Sequence, residues 1–224
     1  MSLRKRKISL VDNIDHNNVI FELIAKDIEE QGYSIRPGAL PDIIVEDLFQ
    51  HQMSMDEFKY TAAGIGRGDD FIHNDFVRTD EICWIDDNIP AGKKWLDWTT
   101  QLRTYLNRRL FLGLFSFESH FAHYAPGSYY KRHSDAFKGE ANRILSIVAY
   151  LNPNWLPTDG GELILYNNEE ENVGIKVIPL YGTIVTFLSE DFPHEVLQTN
   201  RDRYSVAGWF RVNSSTPDRI DPPS

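Results

Sequence analysis

From residue 111 to residue 212 the chain alternates short strand-like runs with turns, and no other feature limits its fold as much. The runs are Leu114–Tyr124, Tyr129–Ser134, Ile144–Leu151, Glu162–Tyr166, Gly174–Pro179, Thr183–Leu188, Glu195–Thr199 and Tyr204–Val212. β-Branched and aromatic residues fill them, while Gly160-Gly161 and Tyr181-Gly182 mark turns between them. Helical patterns come first in the chain and strands follow. That order predicts a mainly β protein, a double-stranded β-helix (jelly roll) of two antiparallel sheets supported by N-terminal helices. The length allows one domain over 1–224: helical support and a mobile loop in 1–110, a jelly-roll core in 111–212 and a tail in 213–224.

The first helix is expected over 15–31, capped by Asp15, striped by Val19, Ile20, Leu23, Ile24 and Ile28, and stopped at Gly32. Tyr33–Arg36 reads as a strand. A second helix begins at Pro41, carries Ile44, Val45 and Leu48, and is expected to run on through 53–62. A glycine-rich loop follows. Arg78–Asp86 reads as a strand. Residues 93–110 form the clearest helix, with Trp95, Trp98, Leu102, Leu106 and Leu110 on one face, a core stripe.

Within the strand region, His133-Ser134-Asp135 is followed at a distance by His194 and then Arg203. Alternate strand residues share a face, so His133 and Asp135 can reach one metal from one strand. His194, at a turn-to-strand junction after Pro193, must be brought alongside by the fold. Two histidines and one carboxylate hold Fe(II) on one face and leave positions open for a cosubstrate and O2. Arg203 can fork onto a carboxylate of that cosubstrate. Its strand face reads Arg203, Ser205, Ala207, Trp209, and the two small residues leave room for a small dicarboxylate.

A net charge of −10, from 33 acidic and 23 basic residues, argues against general affinity for nucleic acid. Cys83 stands alone, so no intramolecular disulfide forms, which fits a reducing cytoplasm. No apolar run of signal-peptide or membrane-spanning length is present. The expectation is a cytoplasmic protein without a membrane partner.

Taken together, Tyr124-Ala125-Pro126-Gly127 through His133-Ser134-Asp135, Ile147–Asn152, Gly160-Gly161-Glu162-Leu163, Pro193-His194-Glu195-Val196 and Arg203-Tyr204 resemble the prolyl 4-hydroxylase family. The likeness is greatest to the oxygen-sensing prolyl hydroxylase branch with its bacterial members, and it covers roughly 75–212. The resemblance implies a 2-oxoglutarate- and Fe(II)-dependent dioxygenase that uses O2, with ascorbate as a reductant. It hydroxylates a prolyl residue in a protein and releases succinate and CO2. The resemblance implies His133, Asp135 and His194 as iron ligands and Arg203 as the partner of the distal cosubstrate carboxylate. Tyr150 would donate to that carboxylate, Tyr124 would line the pocket, and Val148, Leu163, Val196 and Trp209 would wall it. Arg143, Arg78 and Trp209 would lie near the substrate, and a loop at about 64–79 would fold over it. Ala207 departs from the threonine of the oxygen-sensing enzymes. Bacterial relatives make translation elongation factor Tu a candidate target.

Two other readings share parts of this pattern. A hydroxylase of a free amino acid or other small molecule would keep the same metal site and differ at the mouth. A non-catalytic jelly-roll binding module would keep only the fold, and the full ligand set with Arg203 argues against it. Tyr150, Tyr124 and Trp209 each have an ordinary packing alternative, and Arg143 that of a surface charge.

Overall fold

The computed structural model describes residues 10–56, 59–63, 77–136 and 142–213. Most of the expected mobile loop therefore lies outside the described residues. Helices α1 (Leu10–Gln31), α2 (Asp42–Ser54) and α3 (Pro90–Leu110) pack on two antiparallel sheets. The strands are β1 (Tyr33–Arg36), β2 (Thr61–Ala62), β3 (Glu81–Trp84), β4 (Ser116–Tyr124), β5 (Tyr130–His133) and β6 (Arg143–Tyr150). They continue with β7 (Leu163–Leu165), β8 (Ile175–Val177), β9 (Ile184–Leu188), β10 (His194–Val196) and β11 (Arg203–Arg211). The large sheet runs β1-β9-β6-β11-β4-β3-β2 and the small one β5-β10-β7-β8. This is the expected jelly roll.

Strand alternation divides the large sheet into two faces. Outward from β11 and its neighbours point Val206, Phe210, Phe121, Ile147 and Ala149, which pack beneath the helices. Trp95, Trp98, Leu102 and Leu106 of α3 close that core, as the stripe predicts. Trp95 also donates its Nε1–H to Ser119 Oγ at 3.1 Å, so the buried indole loses no hydrogen bond. Inward point Arg203, Ser205, Ala207 and Trp209, facing the small sheet across a second core of Tyr124, Tyr150, Leu163, Val185, Phe187 and Val196. The site lies between the sheets.

Several expectations need correction. Helix α1 passes through Asp15, so Asp15 is no cap. Val19 is exposed, and the buried face is Phe21, Ile24, Ala25 and Ile28, because the ring of Phe21 seats 5.3 Å from Trp98 on α3. Gly32 does stop the helix, at φ 80°. The second helix ends at Ser54 rather than continuing, and Thr61–Ala62 pairs as a strand with β3. The strands expected at Tyr33–Arg36 and within Arg78–Asp86 form as β1 and β3, and with β2 they join the large sheet, so the segment before residue 110 is more than helical support. Asp135 does not share a strand with His133, since β5 ends at His133 and Asp135 sits in the bend after it.

Candidate metal and cosubstrate site

Register brings the two histidines together. His194 opens β10 directly opposite His133, the last residue of β5, and their rings lie 4.3 Å apart. His133 Nδ1 meets the carbonyl of Lys131 at 2.8 Å, and His194 Nδ1 meets that of Phe192 at 3.0 Å. A carbonyl only accepts, so each Nδ1 carries a proton, and each Nε2 is the atom left to face a metal. Those Nε2 atoms converge on Asp135, 3.8 Å from Oδ1 for His133 and 3.7 Å from Oδ2 for His194. One ligand atom from each of the three side chains lies within 4.8 Å of the others.

The surroundings fix this arrangement. Tyr130 stacks on His133 at 3.6 Å, and Phe187 meets the edge of His194 at 4.8 Å. Ser146 donates to Asp135 Oδ2 at 2.6 Å, and its oxygen pairs with Ser189 at 2.9 Å. Burial, followed by electrostatic interaction with the neighbouring His194, pushes His133 down to about 3. Burial alone would raise the Asp135 carboxyl, but His194, His133, Arg143 and the Ser146 hydrogen bond hold it well below the usual carboxylate range. Neutral His133 beside an ionised carboxylate suits a divalent cation, because ligands must be deprotonated to bind. The donor set, its protonation and its second layer of hydrogen bonds all fit Fe(II).

Deeper between the sheets, Arg203 opens β11 and is 2% exposed. Its Nε donates to the Gly161 carbonyl at 2.8 Å and Nη1 to Ser205 Oγ at 3.3 Å. Its guanidinium lies 4.9 Å from the Tyr124 ring and 5.1 Å from that of Tyr150. No carboxylate pairs with it among the described residues. A buried charge without a counterion is costly, so this one is arranged for an anion. The Tyr150 hydroxyl beside it is buried with no well-formed hydrogen bond, and burial, eased by the Arg203 charge, pushes it up to about 12. An unpaired cation and an unused hydroxyl at one spot fit the far carboxylate of a small dicarboxylate. Leu163 and Val196 are buried and Val148 half-buried in the apolar cluster around Tyr150. Gly161 has to be glycine: its φ is 66°, and a Cβ there would stand 2.9 Å from Arg203 Cδ.

The proposed substrate residues fall elsewhere. Trp209 stands six residues along β11 from Arg203, opposite Ser146 and Glu118, and is not part of the cluster around Tyr150. Arg143 lies 3.6 Å over its indole and is tied to Glu118 at 2.9 Å. Arg78 forks onto buried Asp80 at 2.8 and 2.6 Å and covers the Tyr130 ring at 4.3 Å. It thereby steadies the tyrosine on which His133 stacks. Sequence reasoning did not single out Ser146, Glu118 or His120. Counting back in steps of two from Tyr124 along β4 reaches His120 and Glu118, once the inward face is known.

Comparison with known proteins agrees with this geometry. Residues 119–211 match the profile of the 2OG-Fe(II) oxygenase superfamily. The crystal structure of a Pseudomonas putida prolyl-4-hydroxylase superposes with a TM-score of 0.77 at 36% identity, covering 87% of this chain and 100% of that one. A Trichoplax adhaerens prolyl hydroxylase, solved with a peptide fragment of the hypoxia inducible factor oxygen degradation domain, shares the fold. Its TM-score is 0.75 at 24% identity, over 89% of this chain and 92% of that one. The Xenopus laevis prolyl 3-hydroxylase OGFOD1 is 33% identical over 86 residues, which are 35% of this chain and 16% of that protein.

Proposed function

Because the chain belongs to the 2OG-Fe(II) oxygenase superfamily, we propose that it is a dioxygenase that hydroxylates a prolyl residue of a protein. The observation that carries this reading is a buried, carboxylate-free Arg203 within the same sandwich as a His-Asp-His cluster whose ligand atoms lie within 4.8 Å of one another. His133, Asp135 and His194 would hold Fe(II). Bound iron, with 2-oxoglutarate and O2, supplies the oxidant for C–H hydroxylation and leaves succinate and CO2. The chain supplies geometry. Arg203 forks onto the far carboxylate and Tyr150 donates to it, which orients the cosubstrate. Tyr124, Val148, Leu163 and Val196 exclude water around it. Trp209 and Arg143 frame the mouth where the prolyl ring enters, and Arg78 braces Tyr130 behind the metal ligand.

Likeness to the Pseudomonas enzyme along its full length supports a prolyl target, and the peptide bound to the Trichoplax protein supports a protein substrate. Elongation factor Tu is the first protein to test, and ascorbate the first reductant. The same reading takes 1–224 as one catalytic domain acting in the cytoplasm. Among the described residues no helix is long and apolar enough to cross a membrane.

The test is a search for modified peptides. Fe(II)-loaded protein is incubated with 2-oxoglutarate, O2 and a cytosolic extract beside a His133→Ala control. A prolyl peptide one oxygen heavier, absent from the control, is the expected result and names the target. Succinate without any modified peptide would shift the substrate to small molecules. No succinate at all would favour a non-catalytic module.

A further inference from the structure

We propose that His120 is a substrate-recognition residue that holds a backbone carbonyl beside the target proline. The inference rests on the prolyl reading above and deepens it. His120 lies on the inward face of β4, with Ala207 of β11 on one side and Trp84 of β3 on the other in register. Its ring is 5.3 Å from that of Trp84 and 5.4 Å from that of Trp209, so it shares the wall that carries Trp209. Its neighbour in register on β11, Ala207, is small. His120 is 4% exposed, and its Nδ1 has no hydrogen-bond partner.

Such orphans are rare, because a buried polar group without a partner is destabilising. They persist where a ligand completes them. Burial, followed by the charges of Arg78 and Arg143, pushes His120 down to about 3. The imidazole therefore stays neutral near physiological pH, with one N–H and one lone pair. Trp209 repeats the pattern: its Nε1–H, which can only donate, is also buried without a partner. Two unmet nitrogen groups thus belong to rings 5.4 Å apart on adjacent strands, and at least one needs an acceptor.

A prolyl residue suits that need. It has no backbone N–H, so the only backbone hydrogen-bonding groups around its ring are carbonyl acceptors. A wall built to bind it must offer donors. Arg143 is already tied to Glu118. His120 and the Trp209 indole remain available.

The experiment compares wild type, His120→Leu and His120→Gln on a library of short blocked peptides with a central proline. Hydroxylation is read by mass, KM and kcat are measured on the peptide that wild type modifies best, and 2-oxoglutarate affinity is measured separately. Loss of one such hydrogen bond should raise peptide KM about tenfold in His120→Leu, with kcat little changed. His120→Gln, which keeps an amide donor, should recover most of the loss, and 2-oxoglutarate affinity should stay at the wild-type level in both. An unchanged KM in His120→Leu overturns the proposal. So does a Gln variant as impaired as Leu, or a parallel loss of 2-oxoglutarate affinity, since either marks His120 as packing alone. If the Leu variant does not fold, the ring nitrogens of isotope-labelled His120 decide: a shift on adding peptide supports the contact and none removes it. A wild type that turns over 2-oxoglutarate but modifies no library peptide defeats the prolyl reading and this inference with it. Hydroxylation with unchanged KM defeats only the role of His120.

Discussion

Tyr150 separates binding from folding at the scale of one atom. Its hydroxyl is buried without a good hydrogen bond, so Tyr150→Phe removes a desolvated polar group and little else. Thermal melts of the ligand-free variant should match wild type or gain up to about 1 kcal/mol, while the 2-oxoglutarate Kd rises about fivefold to tenfold. A variant that loses both together would make Tyr150 an ordinary core residue. Arg203→Lys keeps the charge but not the fork, and titration should show 2-oxoglutarate binding weakened by about tenfold or more. Gly161→Ala tests the same side chain from behind, because the new methyl would press on Arg203 Cδ at 2.9 Å. Its expected signature is weaker 2-oxoglutarate binding with Fe(II) affinity preserved. These residues were legible in the sequence because each sits in a contiguous motif of distinctive chemistry. Ser146 and His120 were not, since a lone serine or histidine in an apolar strand gains meaning only when register shows what it faces.

At the scale of elements, strand existence was easier to read than strand bounds. All eight runs after residue 110 are strands, but most are shorter than expected, β10 holding only His194–Val196. Flanking residues such as Gln198 and Thr199 look strand-like yet spend their backbone groups on the turns at Gly127, Ser128 and Gly161. The His133–Asp135 spacing pointed to two side chains that do converge with His194, through partly the wrong geometry. A continuous strand is not needed when the bend after β5 lets Ser146 catch the carboxylate. Failure of the second helix beyond Ser54 has a pairing cause: Thr61 and Ala62 lie opposite Ile82 and Glu81. The central pairing of β11 with β4 is tight at Gly208, where a Cβ would fall 2.7 Å from Phe117 Cζ and 2.8 Å from Glu118 O. Gly208→Ala should therefore destabilise the fold by about 1–3 kcal/mol in urea titrations through overpacking. An unchanged midpoint would mean that the two strands can part there at little cost.

The whole molecule should be sensitive to acid before any metal is added. His120 and His133 are each held at about 3, against an ordinary 6.5. Between those values the unfolded chain binds protons that the folded chain refuses, so stability is full above 6.5 and falls as pH drops toward 3. Asp135, held low, adds a further loss below about pH 4, its unfolded range. Urea unfolding of metal-free protein across this window should show the decline, and His120→Leu should flatten it. A pH-independent midpoint between 6.5 and 3 would contradict the buried, neutral state assigned to both rings.

The most direct measurement is anaerobic Fe(II) binding followed by succinate release on adding 2-oxoglutarate and O2, in wild type and in His133→Ala. The account predicts one Fe(II) per chain and succinate from wild type, with both lost in the variant. Wild type that neither binds Fe(II) nor forms succinate would contradict it, as would a variant that retains both.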